Sequence, residues 1–407
     1  MTALMSYLIV CAILLILRLT MYAATQRVIR DNVILAANSA RFHKDGPAPL
    51  VSIVIPARNE QSHIAGCIAS LLAQEYAHLE IIVVDDRSDD ATSAIVRDLN
   101  TCDPRVRLHR VDTLPAGWTG KNHALHRGVQ DAVGAWLLFV DCDTRQHPAN
   151  IAVALEYARS QRADLVSLLP TLANQSFWEH VVQPYASILL MALFPSSRVN
   201  SNSHPETGFA NGQYLLIRRS AYRQIGGHEA VRGELLEDIS LARNVKHAGL
   251  TLRVAYAPEL LSTRMFTTLR QILCGWSRIF YGAVDHRPLK LAGFITSTLL
   301  LGVAPYINVL VATIWISVGV DTWAGWTLLV LSGLHYGVII ANFAPLYQLS
   351  NSRRIMLLLH VVSCLAIVAI LVRAIAHCYT HKIEWRGTLY GPELLQRPLR
   401  AGSAQAR

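Results

Sequence analysis

Charge is scarce in this chain. Asp, Glu, Lys and Arg make up 16% of its 407 residues, where an ordinary soluble domain carries roughly 25%. With 52% apolar residues, that shortfall excludes a disordered or highly solvated protein. Metal-finger spacing is also missing. The seven cysteines (11, 67, 102, 142, 274, 364 and 378) include no C-x-x-C. They read as reduced, mostly buried thiols of a cytosolic catalytic region, not as a disulfide framework. No G-x-G-x-x-G follows the first strand and no G-x-x-x-x-G-K-[ST] occurs, which argues against dinucleotide reductases and P-loop enzymes. No internal repeat is evident. The balance of 37 Lys+Arg against 28 Asp+Glu is +9. Its basic residues are scattered without aromatic interleaving, so it fits anionic lipid headgroups and not nucleic acid.

Long apolar runs are present, and they are segregated. Mean hydropathy is +0.31, an average over unlike regions. The sequence divides into an anchor (1–28), a soluble domain (45–270), an interfacial segment (271–290), a lipid-embedded region (291–380) and a basic tail (381–407). Met5–Ala24 carries one internal charge, Arg18, and roughly 20 such residues span a bilayer. It has no basic leader before its apolar run and is long for a signal peptide, which favours an uncleaved anchor. Arg18, Arg27 and Arg30 lie toward or beyond its C-terminal end. That places the following domain at the cytoplasmic face of the inner or plasma membrane.

Three later runs are Leu291–Val320, interrupted by Pro305, then Trp326–Tyr347 and Ile355–Cys378. Asp321 puts the first loop between them outside, and Arg353 with Arg354 puts the second inside. Three crossings would leave the tail outside, although it holds Lys382, Arg386, Arg397, Arg400 and Arg407. A fold-back at Pro305 returns the tail to the cytoplasm but changes the loop assignments, so both topologies stay open. Asn342 and Arg373 read as packing or snorkelling residues. Phe177–Phe194 is apolar but contains Glu179, His180, Gln183 and Pro184. It reads as an interfacial helix or a buried one.

The soluble domain alternates. Leu50–Ile55, Ile81–Val84 and Trp136–Val140 are short apolar strand runs, and Val106–Val111 is a further strand. Helical spacing occupies 61–74, 91–99 and 122–133. This pattern predicts an α/β fold with a mainly parallel sheet covered on both faces. Ligands of such sheets bind beyond the C-terminal strand ends. Arg58-Asn59-Glu60, Asp85-Asp86 and Asp141-Cys142-Asp143 all follow strands and are expected to meet at one edge.

Those carboxylates suit particular chemistry. Asp141 and Asp143 form a D-x-D able to hold a hard divalent cation whose other sites a diphosphate fills. By itself the motif equally fits a solvated turn. Asp85 and Asp86 suit hydrogen bonds to a ribose or a base, or a turn that caps the next helix with Ser88 and Asp89. Glu237 and Asp238 open an apparent helix at 238–248. They either complement its dipole or supply a general base to an attacking hydroxyl. Lys121 reads as a phosphate contact or a solvated lysine.

Taken together, the order and strand-end placement of Val54-Ile55-Pro56-Ala57-Arg58-Asn59-Glu60, Val83-Val84-Asp85-Asp86-Arg87-Ser88-Asp89-Asp90, Asp141-Cys142-Asp143 and Glu237-Asp238 resemble the family 2 glycosyltransferases over about residues 48–265. A narrower likeness, in Leu114-Pro115-Ala116-Gly117-Trp118-Thr119-Gly120-Lys121-Asn122-His123-Ala124-Leu125 and in Trp385-Arg386-Gly387, is to membrane glycosyltransferases associated with hopanoid and carotenoid pathways. The resemblance implies a GT-A fold and a UDP- or GDP-type nucleotide-sugar donor. It places Pro56, Arg58, Glu60, Asp85 and Asp86 round the nucleotide, Lys121 near the donor and Asp141 on the sugar or ribose. Asp143, with Asp141 nearby, is implied as ligand to Mg²⁺ or Mn²⁺. Asp238 is implied as the acceptor base, with Glu237 beside it, in an inverting displacement.

Processive members carry Q-x-x-R-W. Here the stretch is Gln271-Ile272-Leu273-Cys274-Gly275-Trp276-Ser277-Arg278, which lacks the Arg before the Trp and is one residue longer. That favours transfer of a single sugar. Trp276 and Arg278 are candidates for lining the acceptor or diphosphate region, or for anchoring at the interface. The leading expectation is a membrane enzyme that glycosylates a lipid acceptor. The alternatives are a polysaccharide synthase and a non-catalytic lipid-binding scaffold on the same fold.

Overall fold

The structure is a computed structural model that describes residues 2–39, 48–319, 321–385 and 388–391. The chain forms two compact units. One contains Asn32–Ala173, Phe194–Met265 and His381–Arg407, and the other Met1–Asp31, Asn174–Leu193 and Phe266–Thr380.

The first unit is built on a seven-stranded sheet. In chain order the strands of this unit are β1 (Val51–Ala57), β2 (Leu79–Asp86), β3 (Val106–Val111), β4 (Trp136–Val140), β5 (Thr144–Gln146), β6 (Leu165–Leu169), β7 (Thr171–Leu172), β8 (Tyr214–Arg218), β9 (Leu252–Tyr256), β10 (Leu261–Thr263), β11 (Ile383–Trp385) and β12 (Thr388–Tyr390). The main sheet runs β3-β2-β1-β4-β8-β6-β9. Its β3, β2, β1 and β4 are parallel neighbours, whereas β8 is antiparallel to both β4 and β6.

The central strands β1, β2 and β4 are mainly apolar because both faces of the sheet are covered there. Ile53, Ile55, Val83 and Leu138 pack on one side, and Val54, Ile82, Leu137 and Phe139 on the other. The period of two along each strand therefore separates two cores, not core from solvent. Parallel pairing brings the C-terminal ends of β1, β2 and β4 to one edge. Antiparallel β8 starts there, since Tyr214 pairs with Val140. A small sheet, β5-β10-β7, follows Asp143 directly, and β11 and β12 form an antiparallel pair.

The helical unit contains the helix Thr2–Asp31. Among the described residues, four segments are long and apolar enough to cross a membrane: Ala3–Asp31, Pro288–Ser317, Thr322–Leu349 and Arg354–Thr380. Val320, at the end of one expected run, lies outside the described residues. Pro305 does not fold its segment back. A π-helical turn at Leu299–Val303 precedes the helix Ala304–Ser317. Proline has no N–H for the carbonyl four residues earlier. Here that carbonyl, on Leu301, accepts instead from His335 Nε2 at 3.1 Å.

The helix Phe177–Leu193 buries Glu179, His180 and Gln183. Glu179 caps its own helix by accepting the backbone N–H of Gln175 at 3.0 Å. Of the two sequence readings, the packed helix is the one this burial supports. The cysteines of the described residues are all unpaired, and all but Cys102 and Cys274 are buried.

Candidate active site

A cleft with about 590 Å³ of space between its walls opens at the C-terminal edge of β1, β2 and β4. Pro56, Arg58 and Glu60 enter it from the end of β1, Asp86 from β2, Lys121 from the helix Gly120–Asp131, and Asp141 and Asp143 from β4. Seven residues expected from sequence thus line one space.

The turns that present them are stapled together. Asn59 takes a left-handed backbone, φ 54°, which asparagine tolerates better than most residues. Its N–H donates to Ser88 Oγ at 2.9 Å, and its side-chain oxygen accepts from Asp89 N at 2.9 Å. Asp86 is held by guanidinium groups on both sides. Arg87 Nε lies 2.9 Å from Oδ1, and Arg58 Nη1 lies 3.9 Å from Oδ2.

Asp85 departs from expectation. It does not line the cleft but is fully buried. Its carboxylate accepts from Ser88 N at 3.0 Å and from the Ser93 hydroxyl. Successive strand residues face opposite ways, so with Asp86 turned to the cleft Asp85 braces the turn behind it.

Lys121 is not a solvated lysine. Its Nζ lies 2.9 Å from Asp141 Oδ1 and 2.7 Å from Glu237 Oε1. Burial alone pulls its ammonium down, but Asp141, Glu237 and Asp238 outweigh that and hold it above the usual lysine range. Glu237 and Asp238 begin the helix Glu237–His247. Asp238 Oδ2 accepts from Gly212 N at 2.7 Å, and Oδ1 from Ile239 N at 2.8 Å. Burial and the neighbouring Glu237 push its carboxyl up to about 7, against the pull of Lys121 and those two N–H groups. A carboxyl poised near neutrality suits proton transfer.

Other residues of the site escaped sequence reasoning. A Cβ on Gly120 would sit 2.2 Å from Asp86 Oδ2, and one on Gly212 would sit 3.1 Å from both Asp238 Oδ2 and Lys121 Nζ. Both glycines permit a close approach. Asn122 is buried, and its amide donates to the carbonyls of Val231, Arg232 and Glu234, fixing the loop that leads to Glu237. Gly120 and Asn122 stood beside Lys121 in a motif already noticed, whereas Gly212 gave no signal.

Trp276 and Arg278 are placed elsewhere. They lie on the helix Leu269–Ala283 in the helical unit, with Trp276 buried against Phe280. Neither lines the cleft.

The residue types fit a cation only in part. Among the described residues no three His, Cys, Asp or Glu side chains gather into a metal cage. Asp143 and Asp141 offer hard oxygens on one wall, so the remaining ligands would have to come from a diphosphate and water. That is the usual manner of Mg²⁺ at nucleotide sites.

Residues 52–226 match the family described as Glycosyl transferase family 2. This part of the chain is similar to family 2 glycosyltransferase domains. Its sheet and strand-end cleft agree with the GT-A expectation. Residues of the chain are 26% identical over 258 positions to a 4,4'-diaponeurosporenoate glycosyltransferase of Staphylococcus haemolyticus (strain JCSC1435), covering 61% of this chain and 67% of that protein. The like-named enzyme of Staphylococcus aureus (strain MRSA252) is 25% identical over 249, covering 60% and 64%. The chain thus spans about two thirds of these relatives' length. Among solved structures, a mannosyltransferase from Pyrobaculum calidifontis in complex with GDP-Man and Mn²⁺ aligns over 92% of this chain and 97% of its own. Its TM-score is 0.48 and its identity 16%.

Proposed function

We propose that the chain is a membrane-bound, inverting glycosyltransferase. It moves one sugar from a nucleoside diphosphate sugar to a lipid acceptor, from a catalytic domain on the cytoplasmic face. The observation that carries this reading is the convergence of Arg58, Asp86, Lys121, Asp141 and Asp143 on one cleft. That convergence falls within the part similar to family 2 domains, in a chain with four apolar helices of spanning length among its described residues. The name of the staphylococcal relatives, an acid of carotenoid type, supports a polyisoprenoid or similar greasy acceptor.

Placement supports the following roles. Pro56, Arg58, Glu60 and Asp86 bind and orient the nucleoside end. Lys121 sits where a donor phosphate or sugar oxygen meets a fixed positive charge. Asp143 and Asp141 would hold a divalent cation, Mg²⁺ or Mn²⁺, which when bound neutralises the departing diphosphate. Asp238 takes the acceptor's proton, and Glu237 keeps Lys121 charged and in place. Trp276 and Arg278 carry no role here.

The test is to incubate membranes bearing the protein with a panel of nucleotide-sugars and to weigh the extracted lipids. A mass increase of one hexose-type unit on a lipid is expected. Asp143→Asn should abolish both that increase and metal-dependent binding of the nucleoside diphosphate. Polymeric product would favour a synthase, and the absence of nucleoside diphosphate binding a scaffold.

A further inference from the structure

The cleft has a wall that the strand-end carboxylates do not explain. Trp385 and Tyr390, at the ends of β11 and β12, also line it. They come from sequence more than 240 residues beyond Asp143, yet they belong to the same compact unit. The attachment is specific. Arg58 Nη1 donates to Thr388 Oγ1 at 2.9 Å, and Gly120 N donates to the Tyr390 hydroxyl at 3.3 Å. Both anchors flank Asp86, because Arg58 pairs with it and Gly120 lies against it. The strand pair therefore stands beside Asp86 in the cleft. In register, Trp385 faces Thr388 and Ile383 faces Tyr390. The Trp385 and Tyr390 rings lie 6.3 Å apart. Tyr390 is buried, and Trp385 is partly buried.

We infer that the paired strands β11 and β12 are part of the donor site, with Trp385 as an aromatic platform for the nucleobase and Tyr390 as the post that fixes the pair over the nucleoside end. The chemistry is complementary. The strand ends supply charge and hydrogen bonds to edges and oxygens, but no ring among the cleft residues of β1, β2 or β4 offers a face to a base. The strand pair supplies that face. Stacking of a base on an aromatic side chain tolerates many bases and is lost on truncation to alanine. The ligand class is therefore a nucleoside diphosphate, and a bare diphosphate would not use this wall. The inference rests on the donor reading proposed above.

The experiment measures binding of UDP, GDP and inorganic pyrophosphate to the full-length protein in detergent with Mn²⁺, by titration calorimetry. Trp385→Ala should weaken the preferred nucleoside diphosphate by about 10-fold or more and leave pyrophosphate within about twofold. Trp385→Phe should recover most of the loss. A merely structural strand pair would weaken both ligands together, or neither, and either result overturns the inference. Wild-type protein that binds neither UDP nor GDP removes the donor reading and this inference with it. Unchanged binding in Trp385→Ala removes this inference alone. Should Trp385→Ala fail to fold, hydroxyl-radical footprinting of the wild-type protein decides. The nucleoside diphosphate should protect Trp385 where pyrophosphate does not, and equal labelling in both refutes the assignment.

Discussion

Lys121 divides the acids around it into two tasks. Asp141 and Glu237 contact its ammonium directly, so their charge is matched whatever the donor does. Asp238 instead rests on the N–H groups of Gly212 and Ile239, and it is the one held near 7. If the acceptor is a hydroxyl, the base must be deprotonated. Transfer should then rise with pH and reach half its maximum near 7 in a pH–rate profile. Asp238→Asn should lower transfer by about 10²-fold or more while donor binding stays nearly intact. A carboxylate acceptor needs no base, so a flat profile and a mild Asp238→Asn defect would identify an acid as the nucleophile. The same group leaves a mark on stability. Folding raises this carboxyl above its unfolded value of about 3.9. Its favourable contribution is therefore complete below that pH and is lost as pH rises through about 7. Asp238→Asn should raise the melting temperature more at pH 8 than at pH 5, measured by calorimetry. An equal change at both would show that Asp238 is not held protonated.

At the level of elements, the helix Gly120–Asp131 is the hinge between sequence and site. Thr119 caps it by accepting from Asn122 N. Its first residue abuts Asp86, its second pairs with Asp141 and Glu237, and its third ties down the loop before Glu237. Alanine at a glycine site normally gains about 0.4–1 kcal/mol by restricting the unfolded chain. At Gly120 the added carbon overlaps Asp86, and overpacking costs about 1–3 kcal/mol, so the clash wins. Gly120→Ala should lower both the melting temperature and nucleoside diphosphate affinity, the latter by about 10-fold. Unchanged affinity would show that Asp86 does not bind the nucleotide.

Strands β1, β2 and β4 and their ends were legible in the sequence because a two-sided core demands nearly unbroken apolar runs. Observed β3 and β4 coincide with the expected ones, and the polar clusters after β1, β2 and β4 meet as anticipated. Asp85 was misjudged because two adjacent carboxylates at a strand end look alike until the pleat turns them apart. Gly212 and the C-terminal strand pair were illegible for a different reason. Antiparallel β8 reaches the site by long-range pairing, and the C-terminal strand pair by the contacts of Thr388 and Tyr390 with Arg58 and Gly120, neither of which leaves a local pattern. The motif beginning at Trp385 was visible only as a likeness, and its Arg386 and Gly387 lie outside the described residues, as do Arg397, Arg400 and Arg407 of the basic tail.

For the whole molecule, the strand pair bears on the membrane topology that the sequence left open. Met265 and Ile383 both belong to the catalytic unit, so the chain between them must make an even number of complete crossings. That interval holds three helical segments of spanning length, so not all three run from face to face. The last opens with a 3₁₀ stretch, Arg354–Leu359, before the unbroken helix His360–Thr380, whose length of about 31 Å at roughly 1.5 Å per residue is itself enough to cross. The charge pattern predicts that Asp321 and Arg353 face opposite sides, and the shared unit predicts that Lys382 faces the side of Met265. Cysteines placed at Thr322, Arg353 and Lys382 in sealed vesicles test both with a membrane-impermeant maleimide, using exposed Cys102 as the marker of the catalytic side. Arg353→Cys and Lys382→Cys should react from the same face as Cys102, and Thr322→Cys from the other. Labelling of Lys382→Cys from the face opposite Cys102 would mean an odd number of crossings, and that the strand pair cannot reach the donor cleft.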